Sequence, residues 1–309
     1  MPVDPARRSK AITAFLAVAF GLGWLVQSQV AGSIASGRAA TGQPLLVGTG
    51  APLLMIPLAA AAWVARVWVE GGDFSDSGLS LGRLRWALAG WALPVVLVLA
   101  TAAASLPFTP LDLTGSAMQG LLAASKAPVE ISPRLATVLQ AGFSLTIGTA
   151  LGTLFAFGHE LAWRGYLLPR LVAELGLWRG VILHGLVWGV WHAPLVVFGG
   201  YAYPGHPALG LALWTLFCAL YGVLLAWLTF ASGSLLPAAL AHGVIIAAGE
   251  APLLVLPGAD PTRAGVLWSP VGLALLAAVL LAIRAGGGLA RGLARGPASL
   301  QRAASARSA

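Results

Sequence analysis

The sequence predicts an all-α protein, a polytopic membrane helical bundle of about eight transmembrane helices, and three observations carry that reading. Apolar side chains make up 58% of the 309 residues and charged ones 9%, a balance outside the range of soluble globular domains. The apolar residues gather in runs of roughly 20, the length that crosses a hydrocarbon core of about 30 Å as a helix. Alternating strand-like runs bounded by turn signals are absent, so helices rather than a barrel are expected to satisfy the backbone inside lipid.

The chain opens with MPVDPARRSK ahead of a first apolar run at 11–31. A basic flank before an apolar run resembles a secretory leader, yet the run has the length of a span and lacks a small-residue cleavage site, so it is read as an uncleaved helix. Further runs follow at 45–68, 86–106 and 135–160, the last expected to continue past the membrane as a longer helix. The remaining four are 178–198, 208–230, 234–256 and 265–284. Residues 1–284 are read as a single membrane-embedded domain, with a motif-bearing core at about 135–256. Residues 285–309, rich in Ala, Gly, Ser and Arg, are read as a basic, disordered cytoplasmic tail.

Orientation follows from Lys and Arg, which are retained on the cytoplasmic side during insertion. With both termini inside, only Arg38, Lys126, Arg134 and Arg263 of the 18 basic residues fall on the outer side. The net charge of +8 is then a topology signal with attraction for anionic headgroups, and nucleic acid is not an expected partner. The expected location is the bacterial inner membrane. Cys218 is the sole cysteine, so no intrachain disulfide can form. Trp63, Trp68, Trp86, Trp178, Trp214, Trp227 and Trp268 fall near predicted span ends, where amphipathic rings anchor at the interface. Gly185, Gly189 and Gly222 suit close helix packing.

Few titratable groups remain at membrane depth, where an ionisable side chain is costly unless it faces a partner, a polar cavity or a substrate path. They are His159, Glu160, His184, His192, His242 and Glu250, with Arg164 just beyond. Glu160 and Arg164 are four apart and share one helix face, as an ion pair requires. His184 is read as a helix-to-helix hydrogen-bond partner, Glu250 as an interfacial residue and His206 as an ordinary loop residue. Glu160, Arg164, His192 and His242 are expected to converge from three helices on one hydrated pocket.

Three stretches together resemble the CAAX prenyl protease and bacteriocin-processing family, the CPBP or Abi intramembrane proteases. GHELAWRGYLLPRL, from Gly158 to Leu171, is similar to the family's EExxxR motif. HGLVWGVWHAPL resembles FxxxH, with Trp188 in the aromatic position and His192 in the histidine position, and GSLLPAALAHGVIIA resembles HxxxN with His242 leading. The resemblance implies peptide-bond cleavage within the membrane. A glutamate and a histidine would activate water, a second histidine and an asparagine would stabilise the oxyanion, and the second glutamate and the arginine would organise the site.

Two positions depart from that pattern: His159 stands for the first glutamate and Ile246 for the asparagine. Three readings stay open. In one, His159, with an unperturbed pKa of about 6.5, replaces the glutamate as base. In another, His159, His192 and His242 with Glu160 bind zinc, although no cofactor is otherwise expected. In the third, the site is a relic and the protein is a noncatalytic membrane binder, immunity protein or scaffold. The expected partners are the bilayer and a membrane-anchored or lipidated peptide substrate.

Overall fold

The computed structural model describes residues 4–35, 54–125 and 130–300, and every regular element among them is helical. In chain order these are α1 (Pro5–Ala35), α2 (Leu54–Val69), α3 (Leu84–Ala104), α4 (Ser116–Ser125) and α5 (Pro133–Leu175). They are followed by α6 (Leu177–Trp191), α7 (Ala193–Gly199), α8 (Pro207–Ser232), α9 (Leu236–Ala248), α10 (Pro270–Ala285) and α11 (Gly288–Leu293). The protein is a polytopic helical membrane protein.

Among the described residues five stretches are long and apolar enough to span a membrane: Pro5–Ile34, Leu84–Ala104, Pro133–Leu175, Pro207–Ser232 and Leu236–Leu254. The expected run at 45–68 begins outside the described residues and is apolar helix from Leu54, while Pro270–Ala285 is apolar but shorter. The expected run at 178–198 is two helices, because the chain breaks at His192 and Pro194 supplies no backbone donor to continue the ladder. Helix α5 does run on to Leu175, absorbing two π-helical stretches, Ser144–Gly148 and Leu161–Leu167.

Glycines set two helix contacts that matter below. A Cβ on Gly185 would lie 2.7 Å from Ala219 Cα and one on Gly189 2.6 Å from Thr215 Cα, so α6 meets α8 backbone to backbone. A Cβ on Gly152 would lie 2.7 Å from the Gly243 carbonyl oxygen, and one on Gly243 2.5 Å from Thr153 N. That contact draws α9 against the half of α5 that leads into the GHELAWRG segment.

Two expectations are corrected here. Residues 288–300 are not a disordered tail: Leu289, Leu293 and Leu300 are buried against Leu168, Val181, Ala226 and Phe230, because these leucines find an apolar face at the ends of α5, α6 and α8. Arg295 also donates to the Ala231 carbonyl at 2.8 Å, and the tail's last residues, 301–309, lie outside the described residues. Trp214 and Trp268 are not interfacial anchors, being 5% and 2% exposed in the core and packed on each other, whereas Trp63, Trp68 and Trp178 are exposed.

Candidate functional site

Glu160 ends the regular part of α5, and the π-helical stretch after it turns residues 162–168 inward as one buried block. The Glu160 carboxylate is fully buried; its Oε1 accepts from Arg164 Nη1 at 2.9 Å and from His242 Nδ1 at 2.8 Å. Its Oε2 has no hydrogen-bond partner among the described residues. The ion pair expected from the four-residue spacing is therefore present, and it reaches a histidine on α9 as well. Burying a carboxylate and a guanidinium together is tolerated because each compensates the other's lost hydration.

Arg164 is itself fully buried, with Cζ 4.0 Å from the centre of the Trp188 ring, so an α6 indole covers the guanidinium face. The Trp188 Nε1–H donates to His159 Nε2 at 3.4 Å. His159 Nδ1 faces Glu160 Oε1 at 3.8 Å, longer than a hydrogen bond. With Nε2 accepting, the proton of a neutral His159 sits on Nδ1, toward the carboxylate.

His192 occupies the break between α6 and α7 and is 9% exposed. Its Nδ1 lies 2.9 Å from the Trp188 carbonyl, an acceptor, so Nδ1 carries the proton and Nε2 keeps its lone pair in the neutral ring. By the same logic the Glu160 carboxylate requires a proton on His242 Nδ1, leaving Nε2 free of that contact. The His242 side chain is the most open of the group at 13% exposure.

The ring centres of His159 and His242 are 4.8 Å apart and those of His159 and His192 are 6.4 Å apart. The structure thus brings together all five residues singled out in the sequence: His159, Glu160, Arg164, His192 and His242. Ile246, one turn along α9 from His242, is partly buried. His184 lies behind the group, its Nε2 3.1 Å from the Trp163 carbonyl, in the helix-to-helix role expected of it.

His159, Glu160 and His242 each offer a ligand atom, all within 4.8 Å of one another, a spacing compatible with a metal ion. His192 is not part of that trio. Two kinds of residue were not singled out in the sequence. Trp163 and Trp191 flank the cluster, their ring centres 6.1 and 5.7 Å from that of His159. Tyr221 donates to the carbonyl of Ala241, the residue before His242, at 2.7 Å. The only sequence signal for these was an unusual density of aromatic residues beside the motifs.

Residues 141–247 match the protein-family profile described as type II CAAX prenyl endopeptidase Rce1-like. A stretch of 43 residues is 42% identical to "CAAX prenyl protease 2" of Methanococcus maripaludis, covering 14% of this chain and 16% of that protein. The match thus spans about a sixth of the length of that curated relative.

Proposed function

We propose, from the premise that residues 141–247 belong to the Rce1-like type II CAAX prenyl endopeptidase family, that this chain is an intramembrane endopeptidase hydrolysing a peptide bond with activated water. The observation that carries the reading is the meeting of three imidazoles with a buried carboxylate that Arg164 neutralises and His242 contacts at 2.8 Å.

In this reading His192 is the general base. Its Nε2 takes a proton from water, the hydroxide adds to the scissile carbonyl carbon, and the proton passes to the departing amine. His242, held by Glu160 through Nδ1, is the group that meets the oxyanion, donating from Nε2 when that nitrogen also carries a proton. Arg164 fixes Glu160. His159 stands where the resemblance puts the base, but its Nε2 is engaged by Trp188, so its part is to orient Trp188 and Glu160. The reaction so drawn needs no cofactor.

The substrate class is a membrane-anchored or lipidated peptide, with a prenylated protein terminus suggested by the family description and the relative's name. The bundle is read as residues 1–284, one domain of about eight spans in the inner membrane with both termini cytoplasmic, and nucleic acid is not an expected partner.

The test is cleavage of a prenylated CAAX peptide by purified protein. Wild type should cut, and His192→Ala should lower kcat by roughly 10²–10⁴. A noncatalytic binder is the second reading, favoured by His159 and Ile246 standing where the motifs carry Glu and Asn. Wild type that never cuts, beside a His159→Glu, Ile246→Asn variant that does, would establish it. A zinc-dependent variant, with the ion on His159, Glu160 and His242, rests on their ligand atoms lying within 4.8 Å. Metal analysis of untagged protein decides that point, and a content well below one ion per chain removes it.

A further inference from the structure

Helix α1 lies outside the residues that match the family profile, yet it grips the site at one point. Its residues Ala11, Phe15, Ala19, Gly23, Gln27 and Ala31 recur every four positions and are all buried, forming one ridge along the helix. Gln27 is the polar member of that ridge and is 0% exposed. A glutamine amide in such a place is costly unless it is hydrogen-bonded.

Its partner is the carbonyl of Trp191, the last residue of α6 and the immediate neighbour of His192. Gln27 Nε2 donates to that oxygen at 2.8 Å, and Trp24 Nε1 donates to it at 3.1 Å. The last carbonyls of a helix lack donors from the next turn, and Pro194 brings none. Two side chains of α1 therefore serve the point where α6 breaks.

The Trp191 side chain is held by the same ridge. Its Nε1 donates to the Ala19 carbonyl at 2.8 Å, and a Cβ on Gly23 would come within 2.5 Å of that nitrogen. The indole so fixed has its ring centre 4.9 Å from that of His192 and 5.7 Å from that of His159. Backbone and ring of residue 191 are both set from α1, and both touch the site histidines.

We propose that Gln27 is a positioning residue for His192, acting through the Trp191 carbonyl, with Gly23 providing the room in which the Trp191 indole seats against the site. The proposal rests on the reading of His192 as general base. Gln27 touches no reacting group; it sets the φ/ψ break that aims the imidazole. Such an effect belongs in turnover rather than in substrate binding.

The experiment compares wild type with Gln27→Leu and Gly23→Ala, and uses Gly21→Ala, whose Cβ would meet nothing within 4 Å, as control. Two readouts are taken on protein that elutes as wild type does: kcat and KM on the prenylated peptide, and the rate at which diethyl pyrocarbonate modifies His192, followed by peptide mass spectrometry. Gln27→Leu and Gly23→Ala should lower kcat about tenfold with KM within about twofold, and shift the His192 modification rate by at least about threefold, while Gly21→Ala changes neither.

Wild-type kcat and modification rate in Gln27→Leu would overturn the proposal. Equal loss in Gly21→Ala would overturn it too, by showing a general effect on α1. Should Gln27→Leu fail to fold, Trp24→Phe removes the other donor to the same carbonyl from a side chain at the helix surface and must move both readouts in the same direction. Should wild type cleave nothing, the endopeptidase reading falls by itself, and the His192 modification rate still decides whether α1 positions that ring.

Discussion

Glu160 has one carboxylate oxygen shared between a guanidinium and an imidazole, in a place closed to bulk solvent. The pair with Arg164 could be read from a spacing of four on one helix face. Its energetic meaning could not, because that depends on burial. Removing one partner of a fully buried ion pair leaves an uncompensated charge, at a cost of about 3–5 kcal/mol. Arg164→Ala is therefore expected to lower the unfolding free energy in detergent by that amount, and a loss below about 1 kcal/mol would contradict the charge pairing as described. Trp188 was legible as the aromatic partner of a motif. That its N–H reaches His159 while its face covers Arg164 became visible only when α5 and α6 lay side by side.

At the scale of elements, α2 and α5 are joined by a clasp of charges beyond the end of α2. Glu70 accepts from Arg66 Nη1 at 2.8 Å, from Arg170 Nη2 at 2.6 Å and Nε at 2.8 Å, and from the Tyr166 hydroxyl at 3.2 Å. Arg66 continues the clasp to Asp76 at 2.9 Å and donates to the Asp73 carbonyl. Burial pushes the Glu70 carboxyl up, but hydrogen bonds and charge from Arg170 and Arg66 outweigh it and hold the group below its ordinary range.

A carboxyl whose folded pKa lies below its unfolded value contributes stability that is fully present above the unfolded value and is lost as pH falls through the folded one. Thermal unfolding in detergent should thus show wild type losing stability on acidification below the usual carboxylate range. Glu70→Gln, already weakened at neutral pH, should show a shallower acid slope, and parallel slopes would contradict the role given to Glu70. None of this clasp was singled out in the sequence, where Arg66 and Arg170 counted only toward orientation. The partners are 100 residues apart along the chain, and no local spacing connects Glu70 to Arg170.

At the scale of the molecule, the five long apolar stretches suit a lipid surround, and the proposed topology puts the excess of Lys and Arg on the cytoplasmic side. The proposed bundle of about eight spans with both termini cytoplasmic makes a direct prediction, because the native Cys218 is buried and stays silent to labelling. A membrane-impermeant maleimide on intact cells should label Thr114→Cys and reach Ala6→Cys and Ala290→Cys only after permeabilisation. Labelling of Ala6→Cys in intact cells would reverse or break the topology.

The membrane class and most of the helical segments were legible in the sequence alone, and so were the five residues that the structure gathers into one cluster. Apolar length and the cost of charge in lipid act locally and leave a one-dimensional trace. Only the tertiary structure decided that Gln27 of α1 meets the Trp191 carbonyl where α6 ends, that Gly152 and Gly243 bring α5 against α9, and that the basic tail packs through Leu300. Those outcomes depend on which faces of distant helices meet. Close packing and hydrogen-bond partners are properties of pairs of surfaces, and a chain read one residue after another carries no record of which surface another will meet.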